Sequence, residues 1–400
     1  MNQIRISRFL WSVSLSLILA MGIAHAAWAA PSPASSPTPT PTAVSTRAEA
    51  ASLIDVQSGR VLYAKQGDKQ MRIASLTKIM TAIVAIEQGT LSDIVKVSRN
   101  AAGKEGSSIY LKEGEEMSLH NLLYGLMLRS GNDAATAIAE HIGGSIEGFA
   151  YLMNQQAELL GMDHSHFQNP SGLDEAGHYS TANDMAKLTA YALRNPAFQD
   201  IVKTKEKSAP NPNEPWDYKW RNKNKMLTIY EGADGVKTGY TKLALRCLVS
   251  SATRGGQQLA VVTLNDSDDW NDHTKLLNYG FSTYPLNEIV TEGDRLEGQT
   301  VTVGRSFRYP LKEEEKTTVR KEAVLANSKS PGYAFGDRGF LRIYVNDTLA
   351  GTVPLYEANS PRMQSAKKEQ ASFSYVTVRG SWPAALKLAW IRLLSAGSTD

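Results

Sequence analysis

The sequence predicts an α+β domain, an antiparallel sheet covered by helices, followed by a small all-β domain. Three observations carry this reading. Strand-like runs stand near both ends of residues 47–288, and helical runs fill the middle. Consecutive strand-like runs are separated by tight-turn residues, which makes their pairing antiparallel. From residue 289 to about 380, helical periodicity gives way to short alternating runs between Gly, Asn and Asp turns.

Composition sets the outer limits. The chain has 400 residues, room for more than one domain. Its 42% hydrophobic content permits a sizeable core. A formal net charge of +3 leaves no basic footprint for nucleic acid. The single cysteine, Cys247, rules out an internal disulfide. Its apolar neighbours Leu245, Leu248 and Val249 predict a buried, inert thiol. No metal signature and no cofactor motif is present in the sequence. His164 and His166 read as loop residues rather than ligands, because no HExxH accompanies them.

Residues 1–30 read as a secretory signal peptide. Arg5 and Arg8 precede the apolar run Phe9–Ile23, and Ala24-His25-Ala26 and Ala27-Trp28-Ala29 both suit cleavage. An uncleaved anchor is the alternative, but the run is short for a span. Residues 31–46 are rich in Pro, Ser and Thr and predict an extended linker. Ala51–Val56 and Arg60–Ala64, joined by Gln57-Ser58-Gly59, predict a hairpin. A buried helix is predicted from about Ser75, where Ile79, Met80, Ile83, Val84 and Ile86 put apolar residues on more than one face. Ser118 is placed to cap a helix carrying Leu119, Leu122, Leu123, Leu126 and Met127. Ala134–Ile142 and Ile146–Leu160 predict two further helices, the second ended by Gly161. Thr181 to Arg194 predicts another, stopped before Pro196.

The polar stretch 205–225 reads as loop. Val236–Tyr240, Leu243–Ala252 and Gln258–Leu264 read as strands, the last two joined at Arg254-Gly255-Gly256. Trp270 to Tyr284 closes the domain as a helix. Gln299–Val303, Lys316–Val319, Phe340–Val345 and Leu349–Val353 are the alternating runs of the β-rich part. Residues 381–400 form a last segment. Within it Ser381–Leu394 sets Trp382, Leu386, Ala389, Trp390 and Leu393 on one helical face, with Lys387 and Arg392 away from it. This stretch is too short to span a bilayer but suits the interface of a membrane surface. A helix packed on the β domain is the alternative.

Ser75-Leu76-Thr77-Lys78 heads the buried helix. Positions i and i+3 share a face, so the Lys78 amine can reach the Ser75 hydroxyl. A serine becomes a nucleophile when a base takes its proton, and a lysine is a base only when neutral. Ser-x-x-Lys alone is weak, since a capping serine gives the same pattern. Ser130-Gly131-Asn132 between two helices and Lys237-Thr238-Gly239 on a strand change its weight. Taken singly, the first is an ordinary turn and the second an ordinary strand end.

In that order the three motifs resemble the penicillin-recognising serine enzymes. The longer stretches Ala74–Thr81, Leu128–Ala135 and Asp234–Thr241 are similar to the D-alanyl-D-alanine carboxypeptidases of peptidase family S11, the low-molecular-mass penicillin-binding proteins. Phe167–Leu173, Tyr179–Met185 and Gly106–Leu111 add to the likeness. The resemblance is dense over about residues 47–290 and looser beyond.

It implies a β-lactamase/DD-peptidase-like fold with a following β-rich domain. It implies a serine carboxypeptidase that removes the terminal D-alanine from peptidoglycan stem peptides and is acylated by β-lactams. Ser75 would be the nucleophile and Lys78 the general base. Ser130 would pass a proton to the leaving group, and Asn132 would orient the substrate amide and Lys78. Lys237 and Thr238, with Gly239, would hold the terminal carboxylate. Lys237 would also disfavour a charged Lys78. The Tyr240 N–H would join that of Ser75 in an oxyanion hole. An exported chain at the outer face of the cytoplasmic membrane follows, on the periplasmic or cell-wall side. Many relatives carry His-Thr where this chain has Tyr240-Thr241, a difference at the pocket rim.

Other readings stay open. A D,D-endopeptidase would use the same site. A class A β-lactamase needs a glutamate for the deacylating water, and none precedes Asn169 in Asn169–Leu173, while Glu175 is misplaced. A non-catalytic peptidoglycan-binding scaffold would not need Ser75, Lys78, Ser130 and Lys237 together.

Overall fold

A computed structural model describes residues 44–296, 300–358, 360 and 363. The signal-peptide reading, most of the linker and the C-terminal tail 381–400 lie outside the described residues.

The predicted hairpin is β1 (Ala50–Asp55) and β2 (Val61–Lys65), paired antiparallel. A 3-10 turn over Ala74–Thr77 leads into α1 (Lys78–Gln88). The short pair β3 (Ile94–Lys96) and β4 (Glu116–Ser118) precedes α2 (Leu119–Tyr124). Ser118 caps α2 as expected, its hydroxyl accepting from the Asn121 N–H at 3.2 Å. A five-residue π turn, Gly125–Arg129, extends α2 to Ser130. Then come α3 (Asn132–Gly143), α4 (Ile146–Leu159) and α5 (Ala182–Ala192).

Pro196 follows α5 as expected, and it is also the first residue of a helix the sequence reading did not mark, α6 (Pro196–Lys203), with Asn195 as cap. Proline suits that position because its missing N–H has no partner there anyway. Residues 205–225 are not all loop, since β5 (Glu206–Ala209) and β6 (Tyr218–Arg221) pair antiparallel. Their polar residues face water on one side, while Ala209 and Trp220 are buried on the other.

After α7 (Met226–Ile229) come β7 (Ala233–Thr241), β8 (Leu245–Arg254), β9 (Gln257–Leu264) and α8 (Asp269–Thr283). The main sheet has five strands in the order β2-β1-β9-β8-β7, all antiparallel. Both faces of β9 are covered. Leu259 and Val261 join Leu276 and Leu277 of α8 in one apolar cluster. Ala260 and Val262 join Ile79 and Ile83 of α1 in another. That is why β9 reads as a nearly continuous apolar run. α1 is buried from Lys78 to Ala85, so it is the core helix around which the others pack. β7 forms one edge of the sheet.

The β-rich part holds β10 (Leu286–Val290), β11 (Val301–Val303), β12 (Phe307–Pro310), β13 (Arg320–Leu325), β14 (Asp337–Val345) and β15 (Thr348–Glu357). Four of them form a sheet in the order β11-β15-β14-β13, and β10 pairs with β12. Val303, Leu341, Ile343, Val353 and Leu355 make its core. The strand expected at Lys316–Val319 is instead a 3-10 turn over Glu314–Thr318, and the strand begins at Arg320.

Arg60, at the foot of β2, ties the two parts together. Its guanidinium donates to the Pro310 carbonyl at 2.6 Å and to both Glu315 carboxylate oxygens at 3.0 and 2.5 Å. It lies between the Tyr284 and Tyr309 rings. Glu315→Ala would leave this half-buried cation without its partner. The expected cost is about 3 kcal/mol, read as faster proteolysis within residues 286–358 with acylation of the catalytic part retained. Unchanged proteolysis would show that the contact is dispensable.

Candidate active site

The 3-10 turn at the head of α1 explains why Ser75 and Lys78 meet. With three residues per turn, side chains at i and i+3 eclipse one another. Lys78 Nζ lies 3.2 Å from Ser75 Oγ. It also donates to Asn132 Oδ1 at 2.7 Å and to the Ser171 carbonyl at 2.6 Å. The residue before the serine, Ala74, has φ +48°. That left-handed conformation is costly for a residue with a Cβ and is held only by its surroundings.

The π turn after α2 ends at Ser130, which is buried and also left-handed, at φ +68°. The chain then enters α3 at Asn132. The Asn132 amide is fixed from both sides: Oδ1 receives Lys78, and Nδ2 donates to the Glu105 carbonyl at 2.6 Å. Asp133 is fully buried and organises the facing loop. Its carboxylate accepts the Ser108 hydroxyl at 2.5 Å and the Ile109 and Leu111 N–H groups at 3.1 Å. This loop holds Tyr110 out at the rim, 81% exposed.

β7 supplies the third wall. Lys237 is buried, and its ammonium donates to the Thr238 carbonyl at 2.7 Å. Gly239 passes against the serine: a Cβ there would lie 3.2 Å from the Ser75 backbone nitrogen. Glycine is what lets the strand approach so closely. Tyr240 projects outward, and Thr241 donates to Asp174 at 3.0 Å on the neighbouring loop.

Burial dominates the electrostatics. It pushes the Lys78 amine down to about 7, with the Lys223 cation adding to the shift and Asp133 opposing it. Burial likewise holds Lys237 well below the ordinary lysine range, with Lys78 and then Lys223 adding. Lys223 reaches Ser107 Oγ at 3.2 Å, and its own amine is lowered by burial and by Arg129. The cation that adds to the lowering of Lys78 is thus Lys223, which the sequence reading passed over, while Lys237, expected in that role, is itself lowered by Lys78. The site has a buried amine poised near neutrality against a serine, a second buried amine on an edge strand, and a hydroxyl between two helices. That is equipment for acyl transfer.

Residues 36–268 match the family described as D-alanyl-D-alanine carboxypeptidase. The chain belongs to this family. It is a serine-type D-alanyl-D-alanine carboxypeptidase. The D-alanyl-D-alanine carboxypeptidase DacF of Bacillus subtilis is 36% identical over 304 residues, covering 71% of this chain and 77% of that one. DacC of Escherichia coli is 38% identical, over 59% of this chain and 62% of its own length. Among solved structures, the carboxypeptidase DacD from Francisella tularensis aligns with a TM-score of 0.62 at 27% identity, over 80% of this chain and 95% of that one. The Streptomyces K15 DD-transpeptidase aligns with a TM-score of 0.57 at 33% identity, over 60% and 98%. These neighbours share the α+β architecture predicted above.

Within the carboxypeptidase, Ser75, Lys78 and Asn132 are joined by direct contacts, and Gly239 abuts the serine. Ser130 adjoins Asn132, and Lys237 feels the charge of Lys78. Tyr240 brings no side-chain contact to this cluster. Sequence reasoning missed the Ser171 carbonyl, Lys223 and the packing role of Asp133. The Phe167–Leu173 stretch was noticed, but a backbone acceptor has no side-chain signature. His166, read as a loop residue, forms a backbone bridge with Tyr179.

Proposed function

We propose that Ser75 is the nucleophile of this carboxypeptidase and Lys78 its general base. One observation carries the reading. A neutral amine has two N–H groups and one lone pair. Asn132 Oδ1 and the Ser171 carbonyl take the two N–H groups, so the lone pair is left for the Ser75 hydroxyl. Lys78 removes the serine proton as Oγ attacks the carbonyl of the D-alanyl-D-alanine bond. The N–H groups of Ser75 and Tyr240 receive the developing oxyanion, an arrangement typically worth about 3 kcal/mol per donor. The C–N bond breaks, and Ser130 delivers the proton to the leaving D-alanine. Water then hydrolyses the acyl-enzyme, releasing Ser75.

Lys237 and Thr238 receive the terminal carboxylate. Burial disfavours the Lys237 charge, and a substrate carboxylate offsets that penalty. The cation is therefore matched to an anionic substrate end.

Acylation should follow the neutral fraction of Lys78. With the amine at about 7, that fraction is about one half at pH 7 and about one hundredth at pH 5. The rate constant for acylation by a penicillin should rise through neutrality and level off in alkali. A rate flat from pH 5 to pH 9 would remove Lys78 from the role of base.

The direct test is D-alanine release from a peptide ending in Lys-D-Ala-D-Ala, by the wild type and by Ser75→Ala. Release by the wild type alone supports the assignment. Penicillin labelling of Ser75 without release would favour an endopeptidase. Neither release nor labelling would leave a scaffold.

Export by residues 1–30, a linker over 31–46 and a membrane-associating tail over 381–400 are part of the same proposal. They would place the catalytic part, residues 47–288, and the β-rich part, 289–380, outside the cytoplasmic membrane beside peptidoglycan. Among the described residues no helix is long and apolar enough to cross a membrane. An interfacial tail needs none. Vesicle binding that is lost on deleting residues 381–400 supports it, and equal binding without them would refute it.

A further inference from the structure

We propose that His178 is a positioning residue for the reaction at Ser75, acting through Thr77 on the Ala74–Ser75 peptide group. The inference rests on the reading above, in which Ser75 is the nucleophile and its N–H an oxyanion donor.

The hydrogen bonds run in one direction. The Gln168 N–H donates to His178 Nδ1 at 3.1 Å. Nδ1 is thereby an acceptor, so in the neutral ring Nε2 carries the hydrogen. Nε2 lies 2.8 Å from Thr77 Oγ1 and donates to it. The Thr77 hydroxyl then directs its own hydrogen to the Ala74 carbonyl, 2.9 Å away. Thr77 is fully buried, and His178 and Ala74 nearly so. The ring plane is held edge-on by Phe167 at 5.7 Å. Burial keeps the imidazole neutral, pushing it down to about 4, helped by His166, Arg72 and Lys78 and opposed by Asp174.

The far end of this relay is what matters. The Ala74 carbonyl and the Ser75 N–H are two ends of one planar peptide unit, and in a trans peptide they point in opposite directions. Fixing the oxygen aims the N–H. Gly172 backs the same oxygen, since a Cβ on Gly172 would lie 1.8 Å from it. On the opposite side Gly239 of β7 faces the Ser75 nitrogen. The donated hydrogen bond also polarises the peptide, which makes its N–H a stronger donor. Ala74 keeps its left-handed φ under this hold. The His178–Thr77 relay thus does more than fill space. It orients and strengthens one donor of the oxyanion hole without touching substrate.

The test uses four variants of the full exported chain. Thr77→Val removes both hydrogen bonds at nearly constant volume, and Thr77→Ser restores them. His178→Leu removes the donor, and His178→Gln returns an N–H near the Nε2 position. Two quantities are read: the acylation rate constant with a penicillin, and kcat and KM for a Lys-D-Ala-D-Ala peptide. Thermal unfolding confirms that each variant is folded. Thr77→Val and His178→Leu are expected to lower acylation and kcat on the order of 10- to 100-fold, with KM little changed. Thr77→Ser and His178→Gln should recover most of the loss. If His178→Leu fails to fold, Thr77→Val and Thr77→Ser carry the test.

A folded Thr77→Val enzyme with wild-type acylation would overturn the inference. So would equal impairment of Thr77→Ser and Thr77→Val. In both cases the wild type would still be labelled at Ser75, which sets these results apart from failure of the nucleophile assignment. A wild type that penicillin does not label at Ser75 overturns both.

Discussion

Replacing Lys78 by methionine is expected to lower D-alanine release and penicillin acylation on the order of 10^4-fold or more, as loss of a nucleophile's base does elsewhere. The chain should stay folded. Methionine fills a similar volume, and it removes an amine whose burial is itself unfavourable. Its cost is the loss of three hydrogen bonds, to Asn132, the Ser171 carbonyl and the Ser75 hydroxyl. That amounts to about 1 kcal/mol each once solvent is counted. In the proposed roles Ser75 and Lys78 act as a unit, so Ser75→Ala combined with Lys78→Met should be no worse than either change alone. Acyl-enzyme formation followed by mass spectrometry gives the answer. Residual acylation within tenfold of wild type would show that another group takes the proton.

The second large effect is on stability. Gly172 has φ +79°, and a Cβ there would lie 1.8 Å from the Ala74 oxygen and 2.6 Å from Thr77 Oγ1. Neither neighbour can give way. The first is backbone, and the second is a fully buried side chain in the relay to His178. Gly172→Ala should therefore cost at least about 3 kcal/mol. It should also slow acylation, because the Ala74–Ser75 peptide must turn to make room. Urea unfolding measures the first and penicillin binding the second. A loss under about 1 kcal/mol would mean that the 168–173 loop is free to retreat.

The groups proposed to react were legible because they are side chains in short motifs on regular elements. Ser75, Lys78, Ser130, Asn132 and Lys237 are named through the family resemblance that those motifs carry together, not from any one of them. The supports were harder to read. Ser171 contributes a carbonyl, which any residue would supply. Lys223 lies in a polar stretch that resembles ordinary surface. His178 looks like a loop histidine until Gln168 and Thr77 are seen on either side of it. The sheet was predictable because β8 and β9 bury both faces and flank a double glycine. The pair β5 and β6 was not, because most of its side chains are polar and its burial comes from Ala209 and Trp220.

Cys247 lies fully within the sheet, and burial pushes its thiol up to about 12. To a maleimide or to molecular oxygen the folded carboxypeptidase is therefore a cysteine-free protein. It carries no reactive thiol through which two copies could be cross-linked. A single cysteine introduced at an exposed position, such as Tyr110 on the loop that Asp133 organises, would be uniquely addressable. A fluorophore there would report substrate arrival in an otherwise native enzyme.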